Sequence, residues 1–423
     1  MKRKLSRLEW LFLLVPIGVG ATWCVAVFAP AFWQSLFPRT LRGHVKTIGR
    51  LSFSRDGTTL MSIGKDVRSP PIGTHTDEIK LWNVADGQPL WSVSSNGSSP
   101  SLWESAYFSP NSRLLIATEW INDNPPQGQT SSELTHIYNA RDGQEVQSIP
   151  VTRSAFEFFL DDKTLMSFGP TIRIRDLASK KMLRSFVSDY NYHVYPQIDW
   201  TKNFMVLLTD VDPQHFTRGC VLDLNTGHRV FFPATPWNST TGSVPREFVI
   251  SRNEKLVASA HRNLDHPTRL WDAKTGKLLH VLASRNARPI RFSPDSKTLA
   301  CADQLDSSQN PAADFTKARI CRLSLFDVSN GATRWSQISL LNCDSLFFSR
   351  DGRLIALEGS TNPANFDYQN FRSRMVVELR DAQNGALLTT IPGSNAVFSP
   401  DGKTLAVSDD KVIRLHDISG LAR

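Results

Sequence analysis

The sequence predicts an all-β domain of repeated four-stranded units closed into a ring, set behind one apolar helix at the amino terminus. Three observations predict it. A two-part pattern recurs eight times along the chain. A spare strand precedes the first copy where the last copy lacks one. Residues 10–33 carry no charge.

In the first half of the pattern, an apolar residue is followed across a polar turn by a second apolar residue seven positions later. The clearest copies are Phe53-Ser54-Arg55-Asp56-Gly57 to Leu60, Phe292-Ser293-Pro294-Asp295 to Leu299, and Phe398-Ser399-Pro400-Asp401-Gly402 to Leu405; others begin at Phe108, Phe158, Ile198, Val249 and Phe347. The second half ends a strand near an acidic or amide residue, as in Leu81-Trp82-Asn83, Leu270-Trp271-Asp272 and Leu379-Arg380-Asp381. Most copies then turn on a glycine (Gly87, Gly143, Gly227, Gly276, Gly331, Gly385). The third copy has Ser179-Lys180 instead, which predicts a looser turn. The copies start about 40–55 residues apart, the period of propeller blades. β-rich runs such as 255–259 and 404–408 separate the halves, so each unit reads as four antiparallel strands. A blade of this kind buries its two faces only against neighbours in a ring.

The Phe-Ser-Pro-Asp-Gly and Leu-Trp-Asp signatures resemble those of the WD-repeat family of β-propellers, in a degenerate bacterial-type form, over nearly all of the chain after residue 36. Tryptophan holds the signature position only at Trp82 and Trp271, and the family's Gly-His pair survives only as Gly43-His44. The resemblance therefore implies that the family's internal histidine–aspartate hydrogen-bond network is missing from most blades.

The ends of the pattern predict closure. The last copy stops at Asp417-Ile418-Ser419-Gly420 without a fourth strand, and residues 37–42 supply a strand before the first copy. Joining the two removes the open edges that invite aggregation. Eight blades follow, with seven as the alternative because the fourth and fifth copies match the pattern least well.

The uncharged stretch 10–33 is longer than the ~20 residues needed to cross a bilayer, and Trp10 and Trp33 suit its two interfaces. It exceeds the core of a cleaved signal peptide, and a proline adjoins the nominal Ala29-Pro30-Ala31 cleavage site. The sequence thus predicts a basic cytoplasmic segment at 1–9, a transmembrane helix at 10–33, a short tether at 34–36 and a propeller at 37–423. Lys2, Arg3, Lys4 and Arg7 precede the span and fewer basic residues follow it closely, which places the propeller outside the cytoplasm, periplasmic or extracellular. The basic residues up to Arg42 carry most of the formal net charge of +8. The excess thus sits beside the membrane, and no nucleic-acid partner is expected.

Five cysteines do not make a disulfide framework; a Cys301–Cys321 bridge within one blade is possible, but strand alignment sets Cys301 nearer Ser324. The chain has no glycine-rich phosphate loop, no nucleophile elbow and no paired cysteine or histidine metal motif, so no catalytic residue, cofactor or metal is assigned. Asp210, Asp212 and His215 with His261, Asp265 and His266 carry metal-compatible donors on neighbouring loops, which polar hairpin tips routinely do.

The insertions carry the functional signal. The longest, at 64–78, 119–134, 303–318 and 358–374, join second to third strands, and all such joints open on one face of a propeller. Together with two aromatic inter-blade links they carry Trp120, Tyr190, Tyr192, Tyr195, Trp237, Phe366, Tyr368 and Phe371, the candidate partner-binding residues. Long loops gathered on one face of a rigid scaffold are a standard place for recognition. A membrane-tethered scaffold for protein partners is the leading expectation. The alternatives are a quinoprotein-like propeller, suggested by Gly87 with Trp91 and Gly331 with Trp335, and an enzyme using the central channel. First strands such as 106–108 and 345–348 look too apolar for the latter.

Overall fold

The computed structural model describes residues 38–421 except 66–76, 96–100, 122–131, 152–155, 170, 188–198, 211–216, 233–244, 262–265, 306–319 and 362–374. The expected transmembrane helix at 10–33 lies outside the described residues. Among those described, no helix is long and apolar enough to cross a membrane.

Eight four-stranded antiparallel sheets follow one another along the chain, and the eight-bladed reading holds over the seven-bladed one. Blades 1 to 7 occupy residues 47–94, 101–151, 156–187, 199–231, 245–285, 287–339 and 342–392. Blade 8 takes three strands from 394–417, and its outermost strand is Arg39–Arg42 from the other end of the chain. That strand pairs Arg39 with Leu415 and Arg42 with Val412. Leu41 is buried among Ile48, Trp82 and Ile413, so the closing strand seals the junction of blades 8 and 1 as well as the last sheet.

Burial follows position in the blade. Second strands lie between two neighbouring sheets and are apolar on both faces; Leu354–Ser360 is buried throughout. Outermost strands meet solvent, as Met182–Val187 does along most of its length. The cores lie between blades: Met61, Ile63, Ile79 and Leu81 of blade 1 pack on Trp103, Ala106, Leu115 and Ala117 of blade 2. Each such leucine or isoleucine contributes about 1.5–3 kcal/mol by burial, and none could do so within an isolated blade.

The repeated signature is turn chemistry. Ser54 Oγ donates to Asp56 Oδ1 at 2.6 Å and accepts from the Thr59 amide at 2.9 Å, while Asp56 Oδ1 also accepts from the Thr58 amide at 3.0 Å. Ser293–Asp295, Ser349–Asp351 and Ser399–Asp401 repeat the first bond at the same length. The turn at Ser179-Lys180 corrects an expectation: it is not loose. Lys180 adopts φ 58°, the left-handed conformation that glycine takes in the other copies, and the Ser179 amide and hydroxyl both donate to Asp176 Oδ1.

These glycines also keep space for the preceding blade. A Cβ on Gly143 would lie 2.7 Å from the Trp91 ring, and one on Gly385 would lie 2.6 Å from the Trp335 ring. Trp91 Nε1 donates to Ala140 O and Trp335 Nε1 to Ala382 O, fastening each tryptophan to the next blade. Phe186 and His280 sit over Gly227 and Gly331 in the same manner. Gly-x-x-x-Trp is therefore one filling of a docking position that this ring fills with several residue types, and it does not single out a quinoprotein.

Candidate interaction surface

The ring has two unlike faces. One carries the Ser–Asp and glycine turns. On the other, second strands pass to third strands and each blade passes to the next. Among the second-to-third-strand connections, those from Lys65 to Glu78, Ile121 to Ser132, Leu305 to Ile320 and Ser360 to Met375 are the long ones, and all four leave from this hairpin face.

Each long connection has a buried carboxylate at its base: Asp77 in blade 1, Glu119 in blade 2, Asp303 in blade 6 and Glu358 in blade 7. Two of them reach into the following blade. Innermost strands bulge near this face, with register shifts between Trp103 and Ser105, between Ala287 and Ile290 and between Ser394 and Val397. A bulge takes amides out of the ladder, and a buried amide needs an acceptor. Asp77 Oδ2 accepts from the Trp103 amide at 3.2 Å, and the two oxygens of Glu358 accept from the Asn395 and Ala396 amides at 2.7 and 3.2 Å. Glu247 does the same between blades 5 and 6, accepting from the Ile290 amide at 3.1 Å and pairing with Arg291. Burial pushes the Glu358 and Glu247 carboxyls up; the amides offset this at Glu358, and Arg291 and the amide at Glu247.

Of the other two, Glu119 works within its blade and Asp303 reaches back to the preceding one. Glu119 Oε2 lies 3.1 Å from His136 Nε2, and Glu145 Oε1 lies 3.0 Å from His136 Nδ1. Burial opposes the charge on His136, yet the two glutamates raise its pKa above the usual range. Asp303 Oδ1 accepts from Ser284 Oγ at 2.5 Å, and burial pushes its carboxyl up to about 7.

Blade 1 also holds a complete histidine network. Trp82 Nε1 donates to Ser62 Oγ at 2.7 Å, His44 Nε2 lies 2.6 Å from that hydroxyl, and His44 Nδ1 lies 2.6 Å from Glu78 Oε1. The acid is Glu78. Burial pushes it up, but the hydrogen bond and charge of His44 bring it down to about 2. In blade 5 the Trp271 to Ser259 bond, at 2.9 Å, repeats the first step of this arrangement.

Of the candidate partner-binding residues, Tyr190, Tyr192, Tyr195, Trp237, Phe366, Tyr368 and Phe371 lie outside the described residues. Trp120 corrects an expectation: its backbone belongs to the second strand of blade 2, paired with Leu102 and Glu133, so the strands reach further and the hairpin begins later. Asp212, His215 and Asp265 also lie outside the described residues. His261 is buried, with its ring stacked on His266 at 4.9 Å. Among the described residues no group of three or more metal-ligating side chains gathers.

The innermost strands are less apolar than their sequences suggested. Arg50 Nη1 donates to the Tyr107 hydroxyl at 3.2 Å and stacks over its ring. A cavity of about 560 Å³ opens beside blades 4 to 7, lined by Lys202, Arg252, Glu254, Arg291 and Phe347 among others. Its acids are engaged structurally: Asp199 accepts from the Ile250 amide, and Glu254 accepts from Asn203 Nδ2. The acids missed by sequence reading had one signal, a carboxylate inside an apolar strand, as in Ala356-Leu357-Glu358-Gly359.

Comparison with known proteins agrees with this architecture. Residues 385–417, which run from the last turn of blade 7 through blade 8, match the family model described as WD domain, G-beta repeat. No curated protein matches the chain. A solved structure described as a eukaryotic initiation factor superposes with TM-score 0.51 at 13% identity, over 88% of this chain and 83% of that one. The WD40 repeats of RRP9 superpose with TM-score 0.47 at 14% identity, over 90% of this chain and 98% of theirs. At 13% identity the likeness to the initiation factor is one of fold alone. The chain is an eight-bladed β-propeller, and its blade 8 carries a recognisable WD repeat.

Proposed function

We propose that the protein is a membrane-tethered scaffold whose hairpin face captures protein partners. The observation that carries this reading is the convergence of four long connections on one face, each rooted beside a buried carboxylate. Such roots hold the bases of the connections still while their tips remain free to differ, the arrangement on which recognition loops are usually built. The acids of the cavity beside blades 4 to 7 are tied to structural donors, so the recognition chemistry is assigned to the connections.

The tether is inferred from the route of the chain. Arg39 lies opposite Leu415 and bonds to the carbonyls of Val84 and Ala85, so the closing strand starts at the turn face and runs toward the hairpin face. With 10–33 in the bilayer, the turn face lies near the membrane and the hairpin face points away. The basic residues before the span place the propeller outside the cytoplasm.

Photo-cross-linking residues placed at Tyr368, within 122–131 and at Asp86 and Asn384 test the binding face in intact cells. Partner adducts are expected at the first two places; adducts confined to Asp86 and Asn384 would reverse the assignment. Phosphatase and cytosolic fluorescent reporters fused after Arg423 test the topology separately. Fluorescence without phosphatase activity would place the propeller in the cytoplasm.

A further inference from the structure

Cys321 and Cys343 come from neighbouring blades and meet in one apolar core. Cys321 lies on the third strand of blade 6, Ile320–Asp327, and Cys343 on the innermost strand of blade 7, Asn342–Phe348. Both belong to the cluster formed by Leu323, Leu325, Leu341 and Leu346. Their approach follows from strand geometry. Gln304 is the cross-strand partner of Cys321, and directly opposed residues point to the same side of a sheet. The Gln304 amide donates to Cys343 O at 2.9 Å, so that side of blade 6 faces Cys343. The Cys343 thiol donates to Ser345 O at 3.3 Å inside this same core.

The other described cysteines have no such neighbour. Cys301 opposes Ser324 and packs in the core between blades 5 and 6, on the opposite side of the sheet from Cys321. That geometry rules out the Cys301–Cys321 bridge left open by the sequence. Cys220 lies in the core between blades 3 and 4. All four are free thiols in the structure.

We propose that Cys321 and Cys343 are a disulfide site that staples blade 6 to blade 7 when the chain folds in the presence of a disulfide oxidant. One thiolate attacks a small-molecule disulfide and releases one thiol. The second protein thiolate then displaces the other thiol, leaving one protein disulfide and two reduced oxidant thiols. The thiolate is the attacking species, whereas contact with Cys321 and burial hold the Cys343 thiol well above its usual pKa. Oxidation therefore belongs to folding, before the blades dock, and the docked pair reacts slowly. The backbone here has little freedom to shift: a Cβ on Gly359, the cross-strand partner of Cys343, would lie 2.2 Å from Asn342 O. The site concerns the chain itself and does not rest on the membrane tether. In a reducing compartment the pair stays as two thiols.

The test refolds the detergent-solubilised full chain in a buffer of reduced and oxidised glutathione, alkylates free thiols under denaturing conditions, and digests with trypsin without reduction. Cleavage after Arg319, Arg322, Arg334 and Arg350 places the two cysteines in peptides 320–322 and 335–350. The expected product is these two peptides joined, lighter by two hydrogen atoms, with Cys220 and Cys301 alkylated. Native protein given the same buffer should form the link at least about tenfold more slowly. Reduction should lower Tm by several degrees in wild type and leave the Cys343→Ser variant unchanged; if that variant fails to fold, the wild-type peptide map still decides. Alkylation of both cysteines after oxidative refolding, or a link to Cys301, would overturn the proposal.

Discussion

The two faces of the ring are built on different principles. On the turn face the Ser–Asp bonds are local: Asp56, Asp295, Asp351 and Asp401 accept from the serine two residues earlier and from amides close by in sequence, while a few amides, such as those of Arg55 and Asn111, reach the turn of the next blade. On the hairpin face the polar groups of one blade complete the next, as Asp77 does for Trp103 and Glu358 for Asn395 and Ala396. Loss of a Ser–Asp bond should remain local. Damage to the hairpin face should loosen a blade interface, which is where the apolar cores lie.

Closure is the extreme case of dependence between blades, and breaking it should have the largest effect. Deleting 39–42 removes the outermost strand of blade 8 and takes Leu41 out of the core between blades 8 and 1. The expected loss is several kcal/mol, a fall in Tm of roughly 10 °C or more. Shortening 122–131 between the same two strands of blade 2 should move Tm by no more than about 2 °C, since it removes only a connection. Equal losses in the two proteins, compared by calorimetry, would contradict the shared-strand closure.

A single inter-blade carboxylate comes next. Glu358→Ala strands two half-buried amides at the start of blade 8, at up to about 1–3 kcal/mol for each group left without a partner. Asp401→Ala removes a comparable number of bonds from an exposed turn where water can replace them, and about 0.5–1.5 kcal/mol is expected. Urea midpoints of the two variants measure the difference directly. A smaller loss at Glu358 than at Asp401 would show that the blades do not depend on the clamp.

The hairpin face should also carry, at Asp303, a pH dependence opposite in sign to that of the turn aspartates, whose serine and amide donors lower their pKa values. Asp303 has its pKa raised by burial from 3.8 to about 7, with Ser284 and, more distantly, the charge of Arg322 acting against the shift. Between those two pH values the unfolded chain loses the proton and the folded chain keeps it. Stability therefore falls as pH rises through this window and is constant above it. Asp303→Asn should flatten that fall. Glu78 has the opposite sign: lowered from 4.5 to about 2, it adds stability above 4.5 that is lost as pH falls through about 2. Denaturation curves from pH 4 to 8, wild type against Asp303→Asn, separate the two. Parallel curves would mean that Asp303 is not protonated in the folded state.

The same contrast explains what could be read in the sequence. Turn chemistry spans a few residues, so Phe398-Ser399-Pro400-Asp401-Gly402 announces itself and its repetition gives the eight blades and the closing strand. Clamp chemistry spans blades: Glu247 meets Ile290, and Glu358 meets Asn395, at separations no local pattern encodes. The docking position was legible only where tryptophan filled it, at Trp91 and Trp335, and was hidden where Phe186 or His280 did. Strand ends were the least legible. Trp120 continues the pairing of its strand although its neighbours read as a hairpin, because cross-strand partners on both sides extend the ladder.

The smallest expected effect tests whether turns are as local as this contrast requires. Blade 3 alone among the glycine-type turns discussed places a side chain, Lys180, at φ 58°. The conformation costs a non-glycine residue about 1 kcal/mol, and glycine removes that cost while adding freedom to the unfolded chain. The outermost strand of the preceding blade, Glu145–Val151, carries no aromatic residue of the kind that docks on the other turns. Lys180→Gly should therefore stabilise the protein by roughly 0.5 kcal/mol, a rise in Tm of about 1–2 °C. The reverse change, Gly143→Lys, meets the Trp91 ring at 2.7 Å and should destabilise by far more, since it breaks a blade contact as well as a turn. If Lys180→Gly lowers Tm, the lysine side chain contributes to a neighbouring blade, and that turn belongs with the clamps.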